Sequence, residues 1–97
     1  MPRTSVSAAA QNTFSPAIQI VGSFDISISG TFSATATAQR SEDGTNWRDV
    51  KSWTAPAEET GYDPILMYYR VGVKTGGYTS GTVVAYINGY DVWPNRL

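Results

Sequence analysis

The clearest pattern in the chain is FDISISGTFSATATAQ, which occupies residues 24–39. Apolar and polar residues alternate up to Ser29, and after Gly30-Thr31 the alternation resumes at Phe32. Successive side chains of a β-strand point to opposite faces of a sheet, so a period of two indicates strands with one buried face. We therefore predict two strands here, paired with each other across a turn at Gly30-Thr31.

The residues that follow predict a hairpin. Ser41–Asn46 is rich in turn-forming residues, and its Gly44 can adopt a positive φ. Beyond this turn, Trp47–Thr54 is predicted to be a strand, although its alternation leaves open which face is buried. Residues 55–59 should end that strand, because Pro56 cannot donate to a β-ladder, and should lead to the opposite sheet.

Two more strands are predicted towards the C-terminus. Residues 67–73 alternate again, and Gly76-Gly77 is predicted to turn the chain into a last strand at residues 81–87. Asn88-Gly89 should end that strand. Helix has almost no place in the chain, because the one alanine-rich candidate, Ser7–Gln11, is shorter than any helix that is stable alone.

Strands at intervals of roughly 8–12 residues, separated by turns that contain glycine or proline, are typical of all-β proteins. We predict an antiparallel β-sandwich, or a small jelly-roll-like barrel, of about seven or eight short strands over residues 14–88. The Ser/Ala/Thr-rich residues 1–13 and the largely polar residues 89–97 are predicted to be N- and C-terminal arms that order on a partner.

The composition excludes several functional classes. The 97 residues suffice for one domain, their formal net charge is −1, and they include neither cysteine nor histidine. A nearly neutral chain has no broad positive field for nucleic acid or for an anionic bilayer. No run of about 20 apolar residues predicts a membrane helix, and no signal-peptide core follows the N-terminus. We expect a soluble protein made in the cytoplasm that binds neither nucleic acid nor membrane.

No group of residues in the sequence predicts catalysis. A serine or threonine nucleophile needs a base, and the chain has no histidine and no Gly-x-Ser-x-Gly elbow. The acidic residues fall in predicted turns and are interpreted as turn caps, not as an acid–base pair or as calcium ligands. They are Glu42, Asp43, Glu58, Glu59 and Asp63. We expect no enzymatic activity, no metal and no cofactor.

The candidate binding residues are aromatic and basic. The alternation of residues 67–73 places Met67, Tyr69, Val71 and Val73 inward and leaves Tyr68, Arg70 and Lys74 in an outward row. Tyr90 and Trp93 are candidate apolar anchors of the C-terminal arm. Tyrosine, tryptophan and arginine are enriched in protein interfaces, and exposed aromatic rings also stack on sugars, so both protein association and glycan binding stay open.

Several segments together resemble a group of small β-rich proteins encoded by tailed bacteriophages, over about residues 20–88. They are GSFDISISGTF (22–32), QRSEDG (39–44), WRDV (47–50), YYRVGVKTG (68–76) and YTSGT (78–82). The resemblance implies a structural protein of the virion, such as a capsid decoration or cement protein or a component associated with the head, tail or fibre. It implies the major capsid protein or another virion protein, and further copies of the chain, as partners. The alternative is a carbohydrate-binding or host-adhesion module displayed on the virion.

Overall fold

The computed structural model describes residues 2–90, and these residues form strands and no helix. None of them therefore makes a helix that would cross a membrane. All strand pairs are antiparallel, and the single seven-stranded sheet is curled into a half-barrel, which confirms the all-β antiparallel class. The strands are β1 (Arg3–Ala8), β2 (Thr13–Phe14), β3 (Ile18–Ser29), β4 (Phe32–Ser41), β5 (Arg48–Trp53), β6 (Ala57–Gly81) and β7 (Val83–Gly89).

The long strand β6, 25 residues in length, organises the sheet because different strands pair along its two sides. Along one side, residues 57–69 pair with β3, and residues 72–73 pair with β2. Along the other side, residues 68–81 pair with β4. The strand order is therefore β1-β7-β3-β6-β4-β5, with β2 beside β6.

An irregular pairing between β3 and β6 accompanies the curl of the sheet. Ile20 pairs with Met67 and Gly22 pairs with Asp63, so residues 64–66 of β6 lie opposite Val21 alone. Extra residues in one strand bend it and increase its local twist. Gly22 has a φ of 80°, which glycine adopts without the steric cost that a side chain would add.

Two predicted turns have a different role in the structure. The chain does turn at Gly30-Thr31, but β3 and β4 do not pair with each other, because each pairs with β6. Gly76-Gly77 is not a turn, since β6 continues through both glycines to Gly81, where the chain turns into β7. The prediction failed because alternation identifies strands but not their partners, and a glycine of positive φ such as Gly76 also fits an irregular strand.

The predicted N-terminal arm, residues 1–13, is largely part of the sheet. Arg3–Ala8 forms β1 and pairs with β7 in unbroken register, and the Gly89 N–H donates to the Pro2 carbonyl at 2.8 Å. Thr4, Val6 and Ala8 alternate towards the interior, so this segment carries the same period of two as the other strands. The candidate helix is therefore replaced by strand and bend. The predicted C-terminal arm lies mostly outside the described residues.

The core confirms the inward alternation of β6. Met67, Tyr69, Val71 and Val73 are all buried. The open question about β5 is answered by Trp53, which is 8% exposed, whereas residues 48–52 are exposed. The other buried apolar residues are Ala8, Ile20, Phe24, Ile26, Ile28, Ala36, Ala38, Val83, Ala85 and Ile87.

Candidate functional site

Arg70 of β6 lies between two aromatic rings on the face of the sheet that points away from the core, called here the outer face. Its Cζ is 4.1 Å from the ring centroid of Phe14 and 4.3 Å from that of Trp47. Phe14 reaches this position because β2 pairs with β6 at Gly72, where an added Cβ would collide with the backbone of β2. A cation held over aromatic faces is attracted by their quadrupoles, so the two rings fix the guanidinium plane.

A chain of hydrogen bonds orients the same guanidinium. Arg70 Nε donates to Gln39 Oε1 at 2.9 Å, and Gln39 Nε2 donates to Asp49 Oδ1, also at 2.9 Å. Lys74 Nζ donates to Asp49 Oδ2 at 2.6 Å. The hydrogen bonds from Lys74 and Gln39 lower the pKa of Asp49, so this carboxylate stays ionised. Desolvation lowers the pKa of Arg70, which remains charged because an arginine titrates far above neutral pH.

The predicted outward row lies on the outer face, but its members are not equally exposed. Lys74 is exposed, whereas Tyr68 and Arg70 are half-buried, because Tyr68 lies beside Gly44 of the β4–β5 hairpin and Arg70 lies between two rings. The row is therefore a partly packed surface. Phe14 and Gln39 were missed as members of this site, since neither is near Arg70 in the sequence.

The C-terminal candidate residues are not brought to this row. Tyr90 is 46% exposed, its N–H donates to the Ser23 carbonyl at 3.1 Å, and its hydroxyl donates to Asp25 Oδ2 at 2.6 Å. These bonds place Tyr90 against β3. Trp93 lies outside the described residues.

The β4–β5 hairpin is held by Asp43 and positions Trp47. Asp43 Oδ1 accepts hydrogen bonds from the backbone N–H groups of Thr45 and Asn46, both at 2.8 Å. It also accepts from the Ser41 hydroxyl at 2.9 Å, while Asn46 Nδ2 donates to Asp43 Oδ2 at 2.8 Å. These bonds hold the pKa of Asp43 well below its usual range. Residues 41–46 therefore cap a hairpin, as predicted, and Asp43 is fully used as a turn cap.

Asp63 corrects the interpretation of the acidic residues as turn caps. It lies within β6, is 4% exposed, and its Oδ2 accepts from Arg40 Nη2 at 2.9 Å and from the Tyr69 hydroxyl at 2.8 Å. Glu58 and Glu59 also lie in β6, where Glu58 accepts from a serine hydroxyl and Glu59 pairs with a lysine. The prediction that these three residues lie in turns was wrong, because the chain after Pro56 continues as strand β6. Each of these carboxylates is bonded to a side chain of another strand of the sheet.

A groove of about 380 Å³ lies beside the ion pair of Arg40 and Asp63. Its lining residues are Arg40, Ser41, Glu42, Asp43, Asn46, Arg48 and Met67. Arg40 and Asp43 are already bound within the sheet and the hairpin. Among residues 2–90, no three His, Cys, Asp or Glu side chains gather as metal ligands would.

The guanidinium of Arg70 is only partly bonded within the described residues. Arg70 has its Nε bonded to Gln39, and its Nη1 and Nη2 groups donate to none of residues 2–90. A guanidinium with free donors is suited to a carboxylate or to carbonyl oxygens of a partner, and the rings beside it add apolar contact area. No known protein family, no curated protein and no solved structure matches the chain.

Proposed function

We propose that this chain is a non-catalytic assembly protein. From the resemblance given above, we propose more specifically a structural component of a tailed-bacteriophage virion, such as a capsid decoration or cement protein or a head- or tail-associated component. The observation that carries the assembly role is the outer face around Arg70, where an arginine is held rigidly and keeps its two terminal nitrogens for a partner.

The rigidity of Arg70 favours protein binding. Ordering a flexible side chain at an interface costs roughly 0.5–1.5 kcal/mol, and the two rings and Gln39 have already ordered this one. Arginine, tryptophan and tyrosine are the residues that most often dominate the binding energy of an interface. The partner surface that fits is one that presents carboxylate or carbonyl oxygens to the guanidinium fork.

Glycan binding is the less favoured alternative. A sugar-binding platform needs open aromatic faces, but Arg70 covers one face of Phe14 and one face of Trp47. A glycan array with the purified protein tests this alternative directly. Strong binding to one sugar class that is lost in Trp47→Ala would replace the assembly proposal by a recognition module.

The first test of the virion role is the protein content of purified particles. Virions of a phage that carries this gene are purified on a density gradient, washed at high salt and quantified by mass spectrometry. We expect the chain at a fixed copy number per particle. Its absence from washed particles would refute the virion role.

The second test asks whether Arg70 makes the contact. Particles grown without the gene are incubated with wild-type protein, with Arg70→Lys and with the matched control Arg48→Lys, which alters an exposed arginine of β5. Lysine keeps the charge but lacks the planar fork, so we expect about tenfold weaker binding for Arg70→Lys and no change for Arg48→Lys. Equal binding by all three proteins would remove the outer face from the contact.

A further inference from the structure

The two edges of the sheet differ in how they are protected against pairing with another strand. β5 carries Arg48, Asp49 and Lys51, and its register with β4 slips at Val50, which has no partner residue. Charges and bulges are the usual devices that stop an edge strand from pairing. β1 has neither a bulge nor a proline, its six residues pair in unbroken register, and its one charge is on Arg3. β1 therefore lacks these protective devices, and on its inner side the Thr4 hydroxyl donates to the Pro16 carbonyl at 2.6 Å.

The direction of the free backbone groups of β1 follows from one hydrogen bond. The Gly89 N–H donates to the Pro2 carbonyl, so Pro2 directs its backbone towards β7. In an antiparallel ladder this direction alternates with each residue. Thr4, Val6 and Ala8 therefore bond to β7, and the N–H and C=O groups of Arg3, Ser5 and Ser7 point outward. Among the described residues, β1 pairs with β7 and with no other strand.

We propose that β1 pairs with β1 of a second copy of this chain, antiparallel, so that the sheet continues across a twofold axis. The pairing deepens the proposed assembly function and rests on it. With Ser5 on the axis, Arg3 of each copy lies opposite Ser7 of the other. Each of these pairs exchanges two backbone hydrogen bonds.

The second copy fits this edge because β1 is complementary to itself in that register. The two Arg3 side chains start four residues apart along the strands, about 14 Å at 3.4 Å per residue, which exceeds the screening length of about 8 Å at physiological salt. The same register sets Val6 beside Thr4 of the other copy. Val6 is only partly buried in one chain, whereas Thr4 and Ala8 are buried, so the pairing covers the one incompletely buried residue on the inner side of β1.

The test is the mass of the full chain in solution by light scattering. One chain has a mass of 10.5 kDa, so we expect about twice that for the wild type at micromolar concentration. Ser5→Pro removes an outward N–H and leaves the hydrogen bonds to β7 intact. We expect it to raise the dissociation constant of the dimer at least about tenfold. The control Ser5→Thr keeps the N–H and should stay dimeric. A monomeric wild type, or a dimer unaffected by Ser5→Pro, would overturn the proposal.

A cross-linking experiment keeps the proposal testable if Ser5→Pro fails to fold. The chain has no cysteine, so Ser5→Cys introduces a single thiol on the proposed axis, where paired Cα atoms lie about 5.5 Å apart and can be bridged by a disulfide. Ser52→Cys puts the same thiol on the protected edge β5. We expect Ser5→Cys to form the covalent dimer at least ten times faster in mild oxidant. Equal rates would overturn the proposal.

Three other outcomes separate the β1 pairing from other contacts and from the virion role. A dimer that is lost in Trp93→Ala but kept in Ser5→Pro would place the contact in the C-terminal segment and overturn the β1 pairing. A chain that is found in virions but is a monomer in solution would keep the proposed function and refute the β1 dimer. A β1 dimer that is absent from virions would do the reverse, so the two failures are distinguishable.

Discussion

Replacing Asp63 with asparagine tests whether a buried carboxylate stabilises the bent part of β6. Asp63 Oδ2 accepts from Arg40 and from Tyr69, and Oδ1 accepts from the Ile65 N–H at 3.2 Å. Burial by itself would raise the pKa of Asp63, but these hydrogen bonds and the charge of Arg40 hold it below its usual value. The carboxylate is therefore ionised at neutral pH, and asparagine removes its charge while keeping its size.

The expected loss follows from the exposure of the two partners. Removing one member of a buried ion pair costs about 3–5 kcal/mol, because the other charge is left without a partner. The Asp63 side chain is 5% exposed but that of Arg40 is 34% exposed, so water rehydrates the arginine and reduces the cost. We expect the free energy of unfolding to fall by about 2–3 kcal/mol, which lowers the melting temperature by roughly 10–20 °C in a domain of this size.

Urea unfolding followed by tryptophan fluorescence measures this loss. The control is Glu59→Gln, which removes an exposed ion pair to Lys51 of 3.0 Å and should leave the urea midpoint unchanged. The folded-state pKa of Asp63 is depressed, so its stabilisation is present above the unfolded-state pKa of about 3.9 and is lost as the pH falls through the folded-state value. Asp63→Asn should remove that acid-dependent step. A loss below about 0.5 kcal/mol would show that the pair is not needed for the bend.

Three further perturbations have defined outcomes. Burial and the nearby Asp63 carboxylate raise the pKa of Tyr69 to about 12. The protonated hydroxyl therefore contributes its full stabilisation below about pH 10, and this contribution is lost as the pH rises to about 12. Tyr69→Phe should flatten the alkaline loss of stability measured by circular dichroism, and an unchanged pH profile would contradict this prediction. Gly30→Ala combines a φ of 101° with a collision against the Thr82 carbonyl, so it should lower the urea midpoint more than Gly76→Ala, whose φ is 86° but whose added Cβ meets open space. Asp43→Ala should speed hydrogen exchange of the hairpin amides, and unchanged protection would show that the turn holds without its cap.

Local patterns in the sequence correctly predicted the structural features that depend only on residues adjacent in the chain. The period of two placed Met67 and Val73 inward, and the Ser41–Asn46 turn gave the correct hairpin between β4 and β5. Both are properties of a few consecutive residues, since side-chain alternation and turn chemistry are set along the backbone. Which face of β5 is buried depends on the neighbouring strands, and the structure was needed to show that Trp53 is in the core.

Strand partners and the composition of the site depend on contacts that are distant in sequence. Alternation in β3 and β4 carries no information about whether they pair with each other or with β6. The environment of Arg70 requires Phe14, which comes from a two-residue strand, and Gln39, which looks like any outward polar residue of β4. The alternation identifies Arg70 as an outward residue, but its position between two aromatic rings could not be predicted from the sequence.

The pairing of β1 with β7 joins strands from opposite ends of the described chain, and this sets the order of events during synthesis. Val83, the partner of Ala8, is made about 75 residues later, which takes roughly 4–15 seconds at 5–20 residues per second. Throughout that time β1 has no strand to pair with inside its own chain. β1, the edge strand without bulges or prolines, is therefore also the strand with the longest delay before its partner is synthesised. Nascent chains made close together are thus most prone to mispair through β1.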